Sequence, residues 1–121
     1  MSNKKTQYLH EILQTASDRL YPDKSGEAEV KINSRGSAGD TPLHVFIWAN
    51  ETDKAVFLIE NGADINAKGE MGETPLHAAV KQKNVRVIKK LLHAGAKTDI
   101  ESEFGKTALD LAGEMGIKLD L

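Results

Sequence analysis

The chain has 121 residues and a mass of 13.2 kDa, which suits one domain with a single modest core. Its 40% hydrophobic and 28% charged residues exclude a disordered chain. Sixteen Lys and Arg against eighteen Asp and Glu leave a net charge of -2, too little for bulk attraction to nucleic acid or anionic membrane, and the lack of cysteine excludes disulfides, thiolate metal sites and thiol catalysis.

No stretch approaches the roughly eighteen consecutive apolar residues of a membrane span. Lys4 and Lys5 are followed by no apolar signal-peptide core, so a cytoplasmic protein is expected. Tyr8, Leu9, Ile12, Leu13, Ala16 and Leu20 recur at helical spacing and predict one amphipathic helix from Lys4 to Leu20. Its few basic residues argue against membrane binding. Pro22 and Gly26 break it within a polar loop from Pro22 to Glu29.

From here the chain repeats. Thr41-Pro42-Leu43-His44 recurs as Thr74-Pro75-Leu76-His77 and, degraded, as Thr107-Ala108-Leu109-Asp110, each step being 33 residues. Gly39, Gly72 and Gly105 keep the same step, as do Asn33, Asn66 and Asp99. Nine of the 33 positions from Gly36 to Lys68 are identical in Gly69 to Glu101, too many at one offset for chance. In each unit a threonine suits a helix N-cap, and in the first two a proline suits the first helical position, where its missing N–H costs nothing. A short helix follows, carrying Leu43, Val45, Phe46 and Ile47 in one unit and Leu76, Ala78, Ala79 and Val80 in the next. After a polar break comes a second helix, with Val56, Phe57, Leu58 and Ile59, or with Val85, Val87, Ile88, Leu91 and Leu92. Gly62 and Gly95 stop these helices at positions that favour a left-handed conformation.

The run Gly-x-Thr-Pro-Leu-His, two short helices, then Gly-Ala and a downstream Asn or Asp resembles the ankyrin repeat, over about residues 30 to 121. The resemblance implies an all-α, ankyrin-type helical solenoid of stacked antiparallel helix pairs with projecting hairpin-like loops. A single domain spanning 1–121 is expected, with residues 1–29 as N-terminal capping helix and loop and 30–121 as the repeat region. Val30, Ile32 and Asn33 fall where the extended segment of a preceding repeat would lie. The third unit is truncated: after Gly116 only Ile117-Lys118-Leu119-Asp120-Leu121 remains, too short for a stable second helix. This tail is either a minimal cap or a frayed end covered by a partner or a second copy.

Little here suggests catalysis. His44 and His77 belong to the repeat motif and are expected to bond the threonine and nearby backbone. His93 is expected to face water. No His pair has metal-ligand spacing beside a carboxylate, and no HExxH, GxSxG or phosphate-loop pattern occurs. No enzyme activity, cofactor or metal is expected. Lys81, Lys83, Arg86, Lys89 and Lys90 read as a solvated face, with nucleic-acid binding the weaker alternative.

The family resemblance implies contacts through loop tips and the exposed side of the first helices. Carried onto this chain, the loop-tip positions are Ser37, Ala38 and Asp40, then Glu70, Met71 and Glu73, then Glu103, Phe104 and Lys106. The first-helix positions are Trp48 and Ala49, Lys81 and Gln82, and Glu114 and Met115. Trp48 and Phe104 are either exposed anchors or packed inside. Large apolar residues among carboxylates suit a protein partner with a basic surface. A non-catalytic protein-binding module is therefore the expected function, and the alternative is a bacterial immunity or inhibitor protein that neutralises a toxin by direct binding. A monomer is expected, with self-association through the C-terminal end as the alternative.

Overall fold

The computed structural model describes residues 4–22 and 29–119. Gly26 of the expected polar loop, and Asp120 and Leu121 of the tail, lie outside the described residues. Among the described residues seven α-helices follow one another: α1 (Lys4–Gln14), α2 (Ser17–Leu20), α3 (Pro42–Trp48), α4 (Thr52–Glu60), α5 (Pro75–Lys81), α6 (Val85–His93) and α7 (Ala108–Glu114). A 3-10 turn, Glu70–Gly72, lies between α4 and α5, and no strand occurs among the described residues. No helix there is long and apolar enough to cross a membrane.

Three helices begin in the same way. Thr41, Thr74 and Thr107 each accept a hydrogen bond from the backbone N–H three residues on, while the side chain of that third residue bonds back to the threonine amide. This reciprocal cap satisfies two amides that a helix start otherwise leaves open. Pro42 and Pro75 occupy the first helical position. The helices are only 7 residues long, so packing rather than propensity must hold them.

That packing is layered. The first helices α3, α5 and α7 pack side by side, and so do the second helices α4 and α6. Within a unit α3 packs on α4 and α5 on α6. Between the layers lie Leu43, Phe46, Ile47, Leu58, Leu76, Val80, Val87 and Leu91, all fully buried. Each such side chain contributes about 1.5–3 kcal/mol by leaving water. Arg86 to Asp53 and Lys90 to Glu60 are ion pairs that tie α6 to α4 on the outside, at 2.6 and 3.2 Å. The basic residues expected as a solvated face thus include two that bridge repeats.

The N-terminal segment corrects the sequence reading. The expected helix from Lys4 to Leu20 is interrupted after Gln14. The Thr15 and Ala16 amides bond three residues back, to Ile12 and Leu13, instead of four. The Thr15 hydroxyl also donates to the Ile12 carbonyl, a local bond that competes with the helix ladder. The bend lets one segment serve both layers: α1 packs on α4, and α2 packs on α3. Ile12, Leu13, Ala16 and Leu20 are buried against the stack, and Tyr8 meets Phe57 edge-to-face at 4.7 Å between ring centroids. Val30 is buried, and its amide donates to Gln14 Oε1 at 2.9 Å.

Candidate partner-binding surface

The loop tips are built from one unit three times. The Gly36 amide bonds the Asp40 carbonyl at 2.8 Å, Gly69 bonds Glu73 at 2.8 Å, and Ser102 bonds Lys106 at 2.8 Å. Inside each ring a glycine amide bonds back three residues, from Gly39, Gly72 and Gly105. These glycines have φ of 96°, 69° and 70°, a region that side chains other than glycine enter at a cost.

The tips are also linked to one another. Asp40 Oδ1 accepts from the Glu70 amide at 2.9 Å, and the Met71 carbonyl accepts from the Glu103 amide at 2.9 Å. Arg35 donates to the Gly39 and Lys68 carbonyls. Behind them, Asn33 accepts from the Asp64 amide and Asn66 from the Lys97 amide, both at 2.9 Å. A row of loops that would be mobile singly is therefore tied into one edge.

On this edge Met71 is 47% and Phe104 65% exposed. Met71 also holds φ of 61°, which is uncommon outside glycine. Glu70 and Glu103 are exposed beside them, and Asp40 is half-buried. On the first-helix side Glu114 is exposed, while Gln82 and Met115 are half-buried.

Trp48 falls between the two arrangements that the sequence left open. It is half-buried against the core, and its remaining face lines a groove of about 340 Å³. Arg19, Leu20, Ala38, Asp40 and Glu70 are among the other residues that line that groove. The ammonium of Lys81 sits 5.9 Å from the Trp48 ring centroid, within range of a cation–π contact. Arg19 and Leu20 of α2 are additions that no repeat spacing could have indicated.

Glu73 departs from its expected place on the surface. Its side chain is only 7% exposed, and its carboxylate lies 2.5 Å from the Lys81 ammonium. One repeat on, Lys106 pairs with Glu114 at the same two positions with the charges exchanged. A carboxylate turned inward needs such a partner, since an unpaired buried charge is costly. The complementary charges 8 residues apart were present in both units as a signal. The Lys106 ammonium is held above its usual range, first by its hydrogen bond to Glu114.

His44 and His77 lie under this edge and are buried. The Thr41 amide donates to His44 Nδ1 at 3.2 Å, which leaves the proton on Nε2 to donate to the Glu73 carbonyl at 2.8 Å. His77 does the same between the Thr74 amide, at 3.0 Å, and the Lys106 carbonyl, at 2.8 Å. Burial, only partly offset by the Glu73 carbonyl bond, pulls the His44 imidazole below its ordinary pKa. Both rings are thus bound on both nitrogens and hold neighbouring repeats together. Among the described residues no cluster of three metal-ligating side chains occurs.

No curated protein matches the sequence. A family model described as ankyrin repeats in three copies matches residues 7–102. The match begins inside α1 and ends before α7, so it takes in the N-terminal helices that the sequence reading had set apart as a cap. Members of this family in general mediate protein–protein interaction. The capped helix pairs, the glycine-closed loops and the matched span agree: the chain belongs to the ankyrin-repeat family.

Proposed function

We propose that this chain binds a partner protein across the linked loop tips and the Trp48 groove, without catalysing a reaction. Met71 and Phe104 supply apolar contact, the open face of Trp48 extends it, and Asp40, Glu70 and Glu103 surround it. The observation that carries this reading is that two large apolar side chains are held out on loops whose backbones are bonded to each other. Exposed aromatic and methionine side chains on a rigid frame bind at low entropic cost.

Charge supports a basic partner surface. The two lysines of this face are neutralised, Lys81 by Glu73 and Lys106 by Glu114. Glu70 and Glu103 form no ion pair among the described residues, and together with Asp40 they outnumber Arg35, the cation that links the first two tips, so carboxylates predominate there. Steering by their field would raise the association rate and weaken with salt. Glu73 acts in this reading as the internal counter-ion of Lys81 and not as a contact.

A photo-crosslinking residue placed at Phe104 in source cells tests the reading, with one at Lys97 as control. A single predominant protein crosslinked at position 104, and lost when Glu70 and Glu103 are both changed to Lys, is the expected result. Equal labelling from both positions would remove the loop tips as the binding surface. If the captured partner is an enzyme, loss of its activity in the complex would assign an inhibitory role.

A further inference from the structure

At the C-terminal end of the second-helix layer, α6 carries two apolar stripes. Val87 and Leu91 face inward and are fully buried. Val85, Ile88 and Leu92 form the other stripe, at the i, i+3, i+7 spacing of one helix face; Ile88 is buried, whereas Leu92 is half-buried and Val85 exposed. α6 covers α4 in this way, but after α7 no second helix follows among the described residues to cover α6. Instead Ile117 and Leu119 lie beside it, half-buried and without regular secondary structure. Between tail and helix a groove of about 620 Å³ stays open, and Val85 at its end is 56% exposed.

The charges on the groove are of one sign. Its titratable lining groups are Lys89, His93 and Lys118. None of these pairs with a carboxylate among the described residues, whereas Arg86 and Lys90 of the same helix are taken by Asp53 and Glu60. The repeat step sharpens the point. Where α4 offers Glu60 to Lys90 of the helix packed on it, the matching position of α6, 33 residues on, is His93, which lines the groove. A helix packed on α6 as α6 packs on α4 meets His93 where α6 met Glu60, with Lys89 and Lys118 to either side.

From this we infer that the groove between α6 and the tail is a second docking site. Its occupant is an amphipathic helix of a partner protein with an apolar stripe flanked by carboxylates. The apolar stripe supplies the contact area, and the unpaired Lys89 and Lys118 select the acidic flank. This surface lies on the second-helix layer, apart from the loop tips, and does not depend on the reading given for them.

Two stapled helical peptides test it, each with leucines at i, i+3, i+4 and i+7, one flanked by glutamates and one by lysines. Each is titrated into the isotope-labelled full chain and followed by amide chemical shifts. The glutamate peptide should move the Val85, Lys89, Leu92 and Leu119 signals and leave Met71 and Phe104 in place. Lys89→Glu with Lys118→Glu should weaken it by about tenfold or more. Val85→Asp, at an exposed site that tolerates the change, should do the same with an unchanged melting curve. Equal or tighter binding of the lysine peptide overturns the proposal, as does the absence of groove shifts with the glutamate peptide. A dimer in light scattering that Val85→Asp converts to monomer would give the groove to a second copy instead. A more than tenfold gain in affinity on removal of Asp120 and Leu121 would give it to the chain's own end. Either outcome also overturns it.

Discussion

His77 Nε2 lies 2.8 Å from the carbonyl oxygen of Lys106, 29 residues downstream and in the next repeat. The same ring closes the cap of its own helix through Nδ1, so one side chain links local and long-range order. His44 does the same with Glu73. In the third unit Asp110 replaces the histidine and accepts from the Thr107 amide at 2.9 Å. That carboxyl is held below its usual range, first by the hydrogen bond it accepts from the Thr107 backbone.

This double use predicts strong coupling between Thr74 and His77. Thr74→Ala should cost about 1 kcal/mol as a lost cap. His77→Ala should cost more, about 2 kcal/mol, because it removes the bond to the Lys106 carbonyl in the next repeat and also leaves the Thr74 amide without its partner. A double-mutant cycle in urea should return a coupling of at least 0.5 kcal/mol, about the smallest value expected of residues in contact. Simple additivity would mean the cap bond contributes nothing.

Burial of neutral His44 makes stability depend on pH. The folded ring titrates below its ordinary value of 6.5, so the unfolded chain binds the extra proton first as pH falls. Stability should be flat just above that value, then decline as pH drops below it toward the folded pKa. Protonation puts a second N–H on Nδ1, facing the Thr41 amide that now donates to it. Unfolding measured from neutral to mildly acid pH should show this slope, and His44→Gln should flatten it. A native-state His44 titration at or above 6.5, read by NMR, would disprove the assignment.

Two glycines should fail for different reasons when changed to alanine. Gly95 has φ of 92° with open space around it, so the cost is backbone strain alone, about 1 kcal/mol. A methyl group on Gly69 would instead strike the Asp40 carboxylate and come within 2.9 Å of His44 Nε2. Gly69→Ala should therefore lose more stability than Gly95→Ala and should shift the His44 ring signals, which Gly95→Ala should leave alone.

The exchanged pairs Glu73–Lys81 and Lys106–Glu114 predict a rescue. Lys81→Glu should destabilise by about 1–2 kcal/mol, since it faces a nearly buried carboxylate with a like charge. Glu73→Lys should be comparably harmful, and the two together should recover more than half of either loss. Thermal melts of the three variants check this. A double variant no better than the worse single would show that the pair's orientation is set by its surroundings.

The repeat step, the threonine caps and the glycine stops were legible in the residues because they are local. An N-cap oxygen reaches an amide three residues away whatever lies beyond, and a 33-residue period needs no partner to be seen. Hence α3 to α7 fall where the pattern puts them, and so does the structural role of both motif histidines. The N-terminal break at Thr15, the two-layer docking of α1 and α2, the inward turn of Glu73 and the half-burial of Trp48 were decided by the tertiary structure. Each depends on which surface another part of the chain presents. α2 and the first loop border Trp48, Lys81 lies over its ring, and α3 and α4 together present the end face on which the N-terminal segment bends. A single sequence specifies such neighbours only through the folded stack, because exposure belongs to a packed arrangement and not to a residue type.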